Sequence, residues 1–88
     1  MSDLDIVGVA IWWEGQLYTL PAPNRHGDVI HLIHEETGDM GIFGNQGFVL
    51  RNGAFIGRGC GLLVAQITGQ FHRERPANPY MLFSEDLW

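Results

Sequence analysis

Hydrophobic residues near the start of the chain follow the pattern of a β-hairpin. Residues 6–13 are rich in β-branched and aromatic side chains, and residues 16–20 alternate between apolar and polar positions. Both patterns are typical of β-strands. The Glu14-Gly15 pair between them predicts a two-residue turn, because glycine readily adopts positive φ. Two prolines follow, at positions 21 and 23, and they predict the end of the second strand.

The next segment has helical spacing. From residue 25 to about residue 37 three apolar residues fall on one face of a helix, while polar residues fall on the other: Val29, Ile30 and Ile33. Asn24 stands directly before this segment and is predicted as its N-cap. Gly38 follows it and is predicted to end the helix.

The second half of the chain repeats this order. Residues 46–51 and 54–58 predict two strands, and the Asn52-Gly53 pair between them predicts a type I′ turn. Residues 59–69 predict a second helix that ends at Gly69. Its buried face is predicted to consist of four residues: Cys60, Leu63, Val64 and Ile67.

These elements predict a small α+β fold in a single domain, residues 1–88, made of two ββα units. The turns of the two predicted hairpins lie 38 residues apart. One such unit cannot bury its own apolar face, whereas two units packed together share a core. Residues 71–79 are predicted to be irregular, and the terminal residues Leu87 and Trp88 are predicted to pack on the core as a C-terminal tail.

Charge and composition exclude several classes of function. Ten acidic residues oppose five basic residues, all arginine, for a net charge of −5. Such a chain is not expected to bind nucleic acid non-specifically or to bind anionic membranes. A single cysteine excludes a disulfide framework and a cysteine-based zinc finger. The longest apolar runs are too short to span a membrane, and the acidic start lacks a signal-peptide pattern, so a cytoplasmic protein is expected.

Three residues at predicted helix starts are candidates for binding a ligand: Arg25, His26 and Arg58. Helix starts attract anions through their free N–H groups, and arginine adds a bidentate partner for phosphate or carboxylate. Arg25 and His26 would form the main pocket, with Arg58 as the equivalent in the second unit. The alternative is structural: Arg25 pairs with an acid, and His26 bonds a backbone carbonyl.

Other polar and aromatic residues suggest a surface for a protein partner rather than a metal site. His31, His34 and Glu35 are close in sequence, but no third strong ligand is placed by spacing, so neither metal nor cofactor is expected. Adjacent Trp12 and Trp13 face opposite sides of a strand, so one is core and the other is exposed or covered by the tail. The candidate partner-binding residues are Trp13, Asp28, His31, Glu35 and Trp88.

Several segments together resemble a family of small proteins of tailed phages and prophages. The likeness runs from about residue 10 to residue 88, and its pieces are residues 20–30, 46–48, 53–58, 65–70 and 82–88. Within them stand an Arg-His pair at a helix start, a Gly-x-Phe-x-x-Arg turn and a terminal Ser-Glu-Asp-Leu-Trp, which is the most specific piece. The chain departs from the family pattern at Gly59-Cys60-Gly61, where relatives carry acidic residues and an alanine.

The resemblance implies a phage origin and an accessory role, without a known activity. A binding protein for host takeover or counter-defence is expected. It would block a host defence protein, as anti-CRISPR proteins do with a charge pattern, or sequester a small nucleotide signal. The alternatives are a small nucleotide-processing enzyme that uses His26, and a structural phage subunit. Catalysis is the weaker expectation, because no partner base or nucleophile is evident. A homo-oligomer is also compatible with the sequence.

Overall fold

Two β-hairpins, each followed by a helix, build the chain. A computed structural model describes residues 3–39, 41–42, 44–70 and 80–88. The elements are β1 Ile6–Trp13, β2 Gln16–Pro21, α1 His26–Thr37, β3 Asn45–Leu50, β4 Phe55–Gly57, α2 Arg58–Thr68 and a single 3₁₀ turn, Ser84–Asp86. This order confirms the predicted α+β fold of two ββα units.

The two hairpins join into one antiparallel sheet with the strand order β2-β1-β3-β4. The first strand of each hairpin lies in the centre, where β1 and β3 pair with Val9 opposite Phe48. The second strands, β2 and β4, form the two edges. The two units are therefore joined through their central strands, so that neither hairpin stands alone.

Both helices lie on the same face of the sheet. The Phe48 ring shows this, because it contacts the His26 ring of α1 at 5.1 Å between centroids. The same ring lies 3.0 Å from the point where a Cβ at Gly61 of α2 would stand. The core between sheet and helices holds mainly aliphatic side chains, among them Val9, Ile11, Val29, Ile33, Leu62 and Ala65.

Residues 80–88, here called the closing segment, complete the helical layer. Its Leu82 and Leu87 are buried in the core, and Trp88 packs against it. The Leu82 N–H donates to the Arg58 carbonyl at 3.0 Å. Residues of α1 and α2 make few direct contacts with each other. The closing segment is therefore a third element of the helical layer beside them. The predicted packing of the tail is confirmed for these residues; the predicted irregular stretch, 71–79, lies outside the described residues.

The turn types differ from the prediction. A type I′ turn needs positive φ at both central residues. That condition holds in the first hairpin, where Glu14 has φ 50° and Gly15 has φ 77°. It fails at Asn52-Gly53, where Gly53 alone has positive φ and donates its N–H to the Leu50 carbonyl at 2.9 Å. The predicted type I′ turn at Asn52-Gly53 is therefore wrong. The Ala54 N–H donates to Asn52 Oδ1, a bond that favours a three-residue loop.

The start of α1 also differs from the prediction. Arg25, not Asn24, is the N-cap, and the Asp28 carboxylate accepts the Arg25 N–H at 2.8 Å. Asn24 lies one residue before the cap, and its Nδ2 donates to the Pro21 carbonyl at 2.8 Å. The predicted end of α1 is confirmed. Gly38 has a left-handed conformation, with φ 76°, and its N–H donates to the His34 carbonyl.

The predicted buried face of α2 is wrong at three of its four residues. The buried residues are Gly61, Leu62 and Ala65. Of the four predicted residues only Val64 is half-buried against the core, whereas Cys60 is exposed, and Leu63 and Ile67 are 60% and 76% exposed. The Phe48 ring approaches α2 so closely that small residues of the helix face it. A pattern of large apolar residues does not identify such positions. The end of the helix at Gly69 is confirmed.

Candidate functional site

An open cleft of about 690 Å³ lies where the sheet meets the start of α2. This volume is within the range of small-molecule sites. The residues that line it come from β1, the start of β3, β4, the first turn of α2 and the closing segment: Trp12, Gly44, Asn45, Gln46, Phe55, Gly57, Arg58, Gly59 and Met81. Among the described residues, aromatic rings, two amides and one arginine therefore border a single space.

Two aromatic rings form one wall of this cleft. Phe55 lies directly against the main chain of Gly47, where a Cβ would come within 2.7 Å of the ring. Its ring centroid is 6.1 Å from that of Trp12, and the planes are tilted by 39°. Trp12 is 41% exposed, so a planar ligand can reach its surface. The absence of a side chain at Gly47 thus allows the aromatic pair to form on the helix-free face of the sheet.

The start of α2 forms another part of the lining and carries the positive charge of Arg58. Arg58 is the first residue of α2, and Gly57 is its N-cap, without a side-chain cap and without an acid in the first turn. The first N–H groups of a helix have no acceptor within it and attract anions. The Arg58 guanidinium is held by the Gln46 Oε1, to which it donates, and by the Phe83 ring, whose centroid is 4.7 Å away.

Arg25, the first of the predicted ligand residues, is bonded to the closing segment. Its Nη2 donates to the main-chain oxygen of Trp88 at 2.6 Å. In the other direction the Trp88 indole N–H donates to the Asn24 carbonyl at 2.7 Å. These two bonds fasten Trp88 to the start of α1, which is a structural use of the arginine.

His26, the second predicted ligand residue, is buried. Its Nε2 lies 2.7 Å from the Gly47 carbonyl and donates to it. The ring also meets Phe48 edge-on, at 77°. The contacts of His26 correspond to the structural alternative, in which the ring satisfies a backbone carbonyl, and they tie α1 to β3.

The two arginines at the helix starts share a role that the sequence did not predict, because both contact the closing segment. Arg58 binds the beginning of the closing segment, at Leu82 and Phe83, and Arg25 binds its end, at Trp88. The segment is therefore held between the starts of both helices. Of the three predicted ligand residues, Arg58 is the one that also borders the cleft.

The histidines of α1 each have a partner within the protein. His31 pairs with Glu35 at 3.0 Å on an exposed face, and the His34 Nδ1 donates to the Asp39 carbonyl at 2.8 Å. Within the described part of the chain, no three histidine, cysteine, aspartate or glutamate side chains come together as a metal site.

The candidate partner-binding residues are spread over the surface around α1. Trp13 is half-buried against the core and donates its indole N–H to Asp39 at 3.1 Å, so Trp12 is the exposed tryptophan of the pair. Trp88 packs on the core as well. Asp28, His31 and Glu35 are exposed on the outer side of α1. The structure brings these last three together on one face.

The aromatic and amide residues of the cleft do not follow from the sequence patterns. These patterns place Trp12 either in the core or on the surface, and they do not point to Phe55, Asn45 or Gln46. One signal was available, namely the Gly-x-Phe-x-x-Arg motif of residues 53–58, which places Phe55 and Arg58 on either side of the β4–α2 junction. That junction is where the cleft opens.

The fold and the cleft define a small α+β protein, with helices on one face of a four-stranded sheet and a ligand-sized cleft at its margin. The chain belongs to the family described as Phage T4 y16D protein, whose sequence model matches residues 5–88. This match confirms the expected likeness to a family of small phage proteins. No curated protein and no protein of solved structure matches the chain. Among the described residues, no helix is long and apolar enough to cross a bilayer.

Removing the Arg25 side chain is expected to affect stability rather than ligand binding. Arg25→Ala breaks the bond to Trp88 and should lower the free energy of unfolding by about 1 kcal/mol. The measurement is a urea titration, with Arg51→Ala as the control, because Arg51 is also exposed but pairs only loosely with Asp5, at 3.5 Å. A tenfold loss of ligand affinity in Arg25→Ala would instead support the hypothesis of a ligand pocket at the start of α1.

Proposed function

We propose that this phage protein acts by binding a small nucleotide in the cleft at the start of α2, and that it thereby removes a host signal. The observation that carries the proposal is the placement of an aromatic pair, Trp12 and Phe55, and a cation, Arg58, on the same cleft. A nucleotide joins a planar base to a phosphate, and these are the two groups that such walls recognise.

The two ends of a nucleotide fit different parts of the cleft. The base would stack on the exposed ring of Trp12, a contact that contributes about 1–3 kcal/mol in nucleic-acid complexes. The phosphate would lie at the N–H groups of α2 and near the Arg58 guanidinium. Asn45 and Gln46 offer amide groups for the edge of the base, since both line the same space.

This local site is compatible with the acidic character of the whole chain. The net charge of −5 is unfavourable for a long polyanion, which contacts a large surface. A single nucleotide contacts only the cleft, where α2 begins without an acid in its first turn. The proposal therefore concerns a small nucleotide and not DNA or RNA.

Binding is also better supported than catalysis. His26, the residue considered for a nucleotide-processing activity, is 5% exposed and donates to the Gly47 carbonyl. Its ring faces the core at Phe48 and not the cleft. A protein that sequesters a signal needs affinity alone, and the aromatic and charged groups of the cleft are of the kind that would supply it.

The test is a calorimetric titration of the protein with mononucleotides, cyclic mononucleotides and cyclic dinucleotides. At least one class should bind, and Trp12→Ala and Arg58→Gln should each weaken it by at least about tenfold, as expected for a stacking or charged contact. Arg51→Gln, at the exposed hairpin turn, is the matched control and should keep the affinity.

Two further measurements separate loss of the site from loss of the fold. Arg58 also holds Gln46 and Phe83, so the melting temperature of each variant is recorded, and Arg58→Lys is expected to recover part of the affinity. The proposal fails if no nucleotide binds at millimolar concentration, or if both cleft variants bind as the unchanged protein does.

A second candidate function is the blocking of a host protein through the outer face of α1. The observation in its favour is that Asp28, His31 and Glu35 are exposed together there. An acidic face of this kind suits a basic groove of a partner. Capture of a host protein that is lost in an Asp28→Asn, Glu35→Gln double variant, but kept in Trp12→Ala, would support it.

A further inference from the structure

Most glycines of the described residues have a visible structural reason to lack a side chain. Five of them have positive φ, which other residues rarely adopt. At four more, a Cβ would stand 3.0 Å or less from an atom of another residue. The remaining glycines have neither property: Gly27, Gly57 and Gly59.

Two of these three glycines stand on either side of Arg58, and all three residues of this turn line the cleft. Among the described residues, a Cβ on Gly57 would meet no atom within 4 Å. A Cβ on Gly59 would meet the Tyr80 carbonyl oxygen at 3.7 Å, which is an ordinary contact. Alanine is also the better residue inside a helix, so glycine at position 59 weakens α2. The packing of the domain therefore does not account for Gly57 and Gly59.

The starts of the two helices differ in their own negative charge. In α1, Asp28 stands in the first turn, and its carboxylate accepts the Arg25 N–H at 2.8 Å. In α2 the first turn has no acid, and the N-cap, Gly57, has no side-chain oxygen that could accept an N–H. This difference makes the start of α2 the more favourable of the two for an anionic ligand.

Glycines beside a cation at the border of a cleft suit a phosphate group. Without side chains, the main chain can approach phosphate oxygens closely, and the arginine between the glycines adds a charged donor. We propose that Gly57, Arg58 and Gly59 form the phosphate subsite of the cleft, and that the two glycines select a nucleotide over the nucleoside that lacks the phosphate. This inference rests on the proposed function and adds the residues that determine its specificity.

Inorganic phosphate is the probe for this subsite alone, because it carries the anion without the base. In a proton–nitrogen NMR titration with phosphate up to tens of millimolar, the amide signals of Arg58, Gly59 and Cys60 should shift. Sodium chloride at the same ionic strength should not shift them. The amide of Gly27, which is the second residue of α1 as Gly59 is of α2, should stay in place in both titrations.

Gly59→Ala and Gly57→Ser alter the subsite while favouring the helix. Alanine strengthens α2, and a serine hydroxyl at the N-cap accepts an N–H that the phosphate would otherwise use. Both variants should keep or raise the melting temperature. In calorimetry both should bind the best nucleotide at least about tenfold more weakly, and its advantage over the nucleoside of the same base should shrink accordingly.

Gly27→Ala is the matched control, because it makes the same change at the equivalent position of α1, where no atom lies within 4 Å of the Cβ position. It should keep the affinity for the nucleotide. An equal loss of affinity in Gly27→Ala would place the phosphate at α1 and overturn the inference.

The outcomes separate this inference from the proposed function. The inference alone is wrong if a nucleotide binds but both variants of the subsite bind it as the unchanged protein does, or if phosphate shifts no amide at the start of α2. The proposed function alone is wrong if phosphate shifts these amides and no nucleotide binds at millimolar concentration. If either variant unfolds, the phosphate titration of the unchanged protein decides.

Discussion

Gly47→Ala is expected to destabilise the domain by about 3 kcal/mol, the upper part of the range for overpacking. A Cβ at this position would lie 2.2 Å from the Ile56 carbonyl oxygen and 2.7 Å from the Phe55 ring. The ring can move, but the carbonyl belongs to the neighbouring strand, so relief requires that β3 and β4 separate. Urea unfolding followed by far-ultraviolet circular dichroism measures the loss.

Gly57→Ala is the matched control, because Gly57 is the residue that pairs with Gly47 across the two strands. No atom lies within 4 Å of its Cβ position. Its alanine variant should therefore lose less than about 1 kcal/mol, which is the cost of replacing glycine as an N-cap. Equal losses in the two variants would show that Gly47 is not closely packed and that the aromatic wall is built in another way.

Leu82→Ala is expected to lower the free energy of unfolding by about 3 kcal/mol, within the range for a buried leucine. The Leu82 side chain is fully buried, and it lies against α2, 3.3 Å from the Cβ position of Gly61. Its loss leaves a cavity between the helices, at the point where the closing segment completes the helical layer.

Leu63→Ala supplies the comparison for Leu82, because it makes the same change on the exposed side of α2. With Leu63 60% exposed, a loss of no more than about 0.5 kcal/mol is expected. If Leu82→Ala is as mild as Leu63→Ala, the closing segment does not contribute to the core, and the fold described here is wrong in that region.

The sequence predicted the elements of the fold better than their contacts. Both hairpins and α1 follow from local patterns, since alternation and glycine turns act within a few residues. The buried face of α2 could not be predicted in the same way. It depends on Phe48, thirteen positions before Gly61 in the chain, whose ring selects the small residues of the helix.

The candidate site was predicted in part for the same reason. Arg58 could be proposed from its place at a helix start, because that argument is local. Trp12 and Phe55 come from different hairpins and meet only because the sheet places β3 between their strands and Gly47 leaves room there. The roles of Arg25 and His26 likewise depend on distant partners, Trp88 and Gly47.

The most direct test of nucleotide binding is a proton–nitrogen NMR titration of the protein with the nucleotide class that binds best in calorimetry. The amide signals of Gly57 and Gly59 and the indole signal of Trp12 should shift together, because all three residues line the cleft. The amide of Gly27, beside Arg25 and His26, should stay in place. Shifts confined to Gly27 and its neighbours, or no shifts at millimolar nucleotide, would contradict the account.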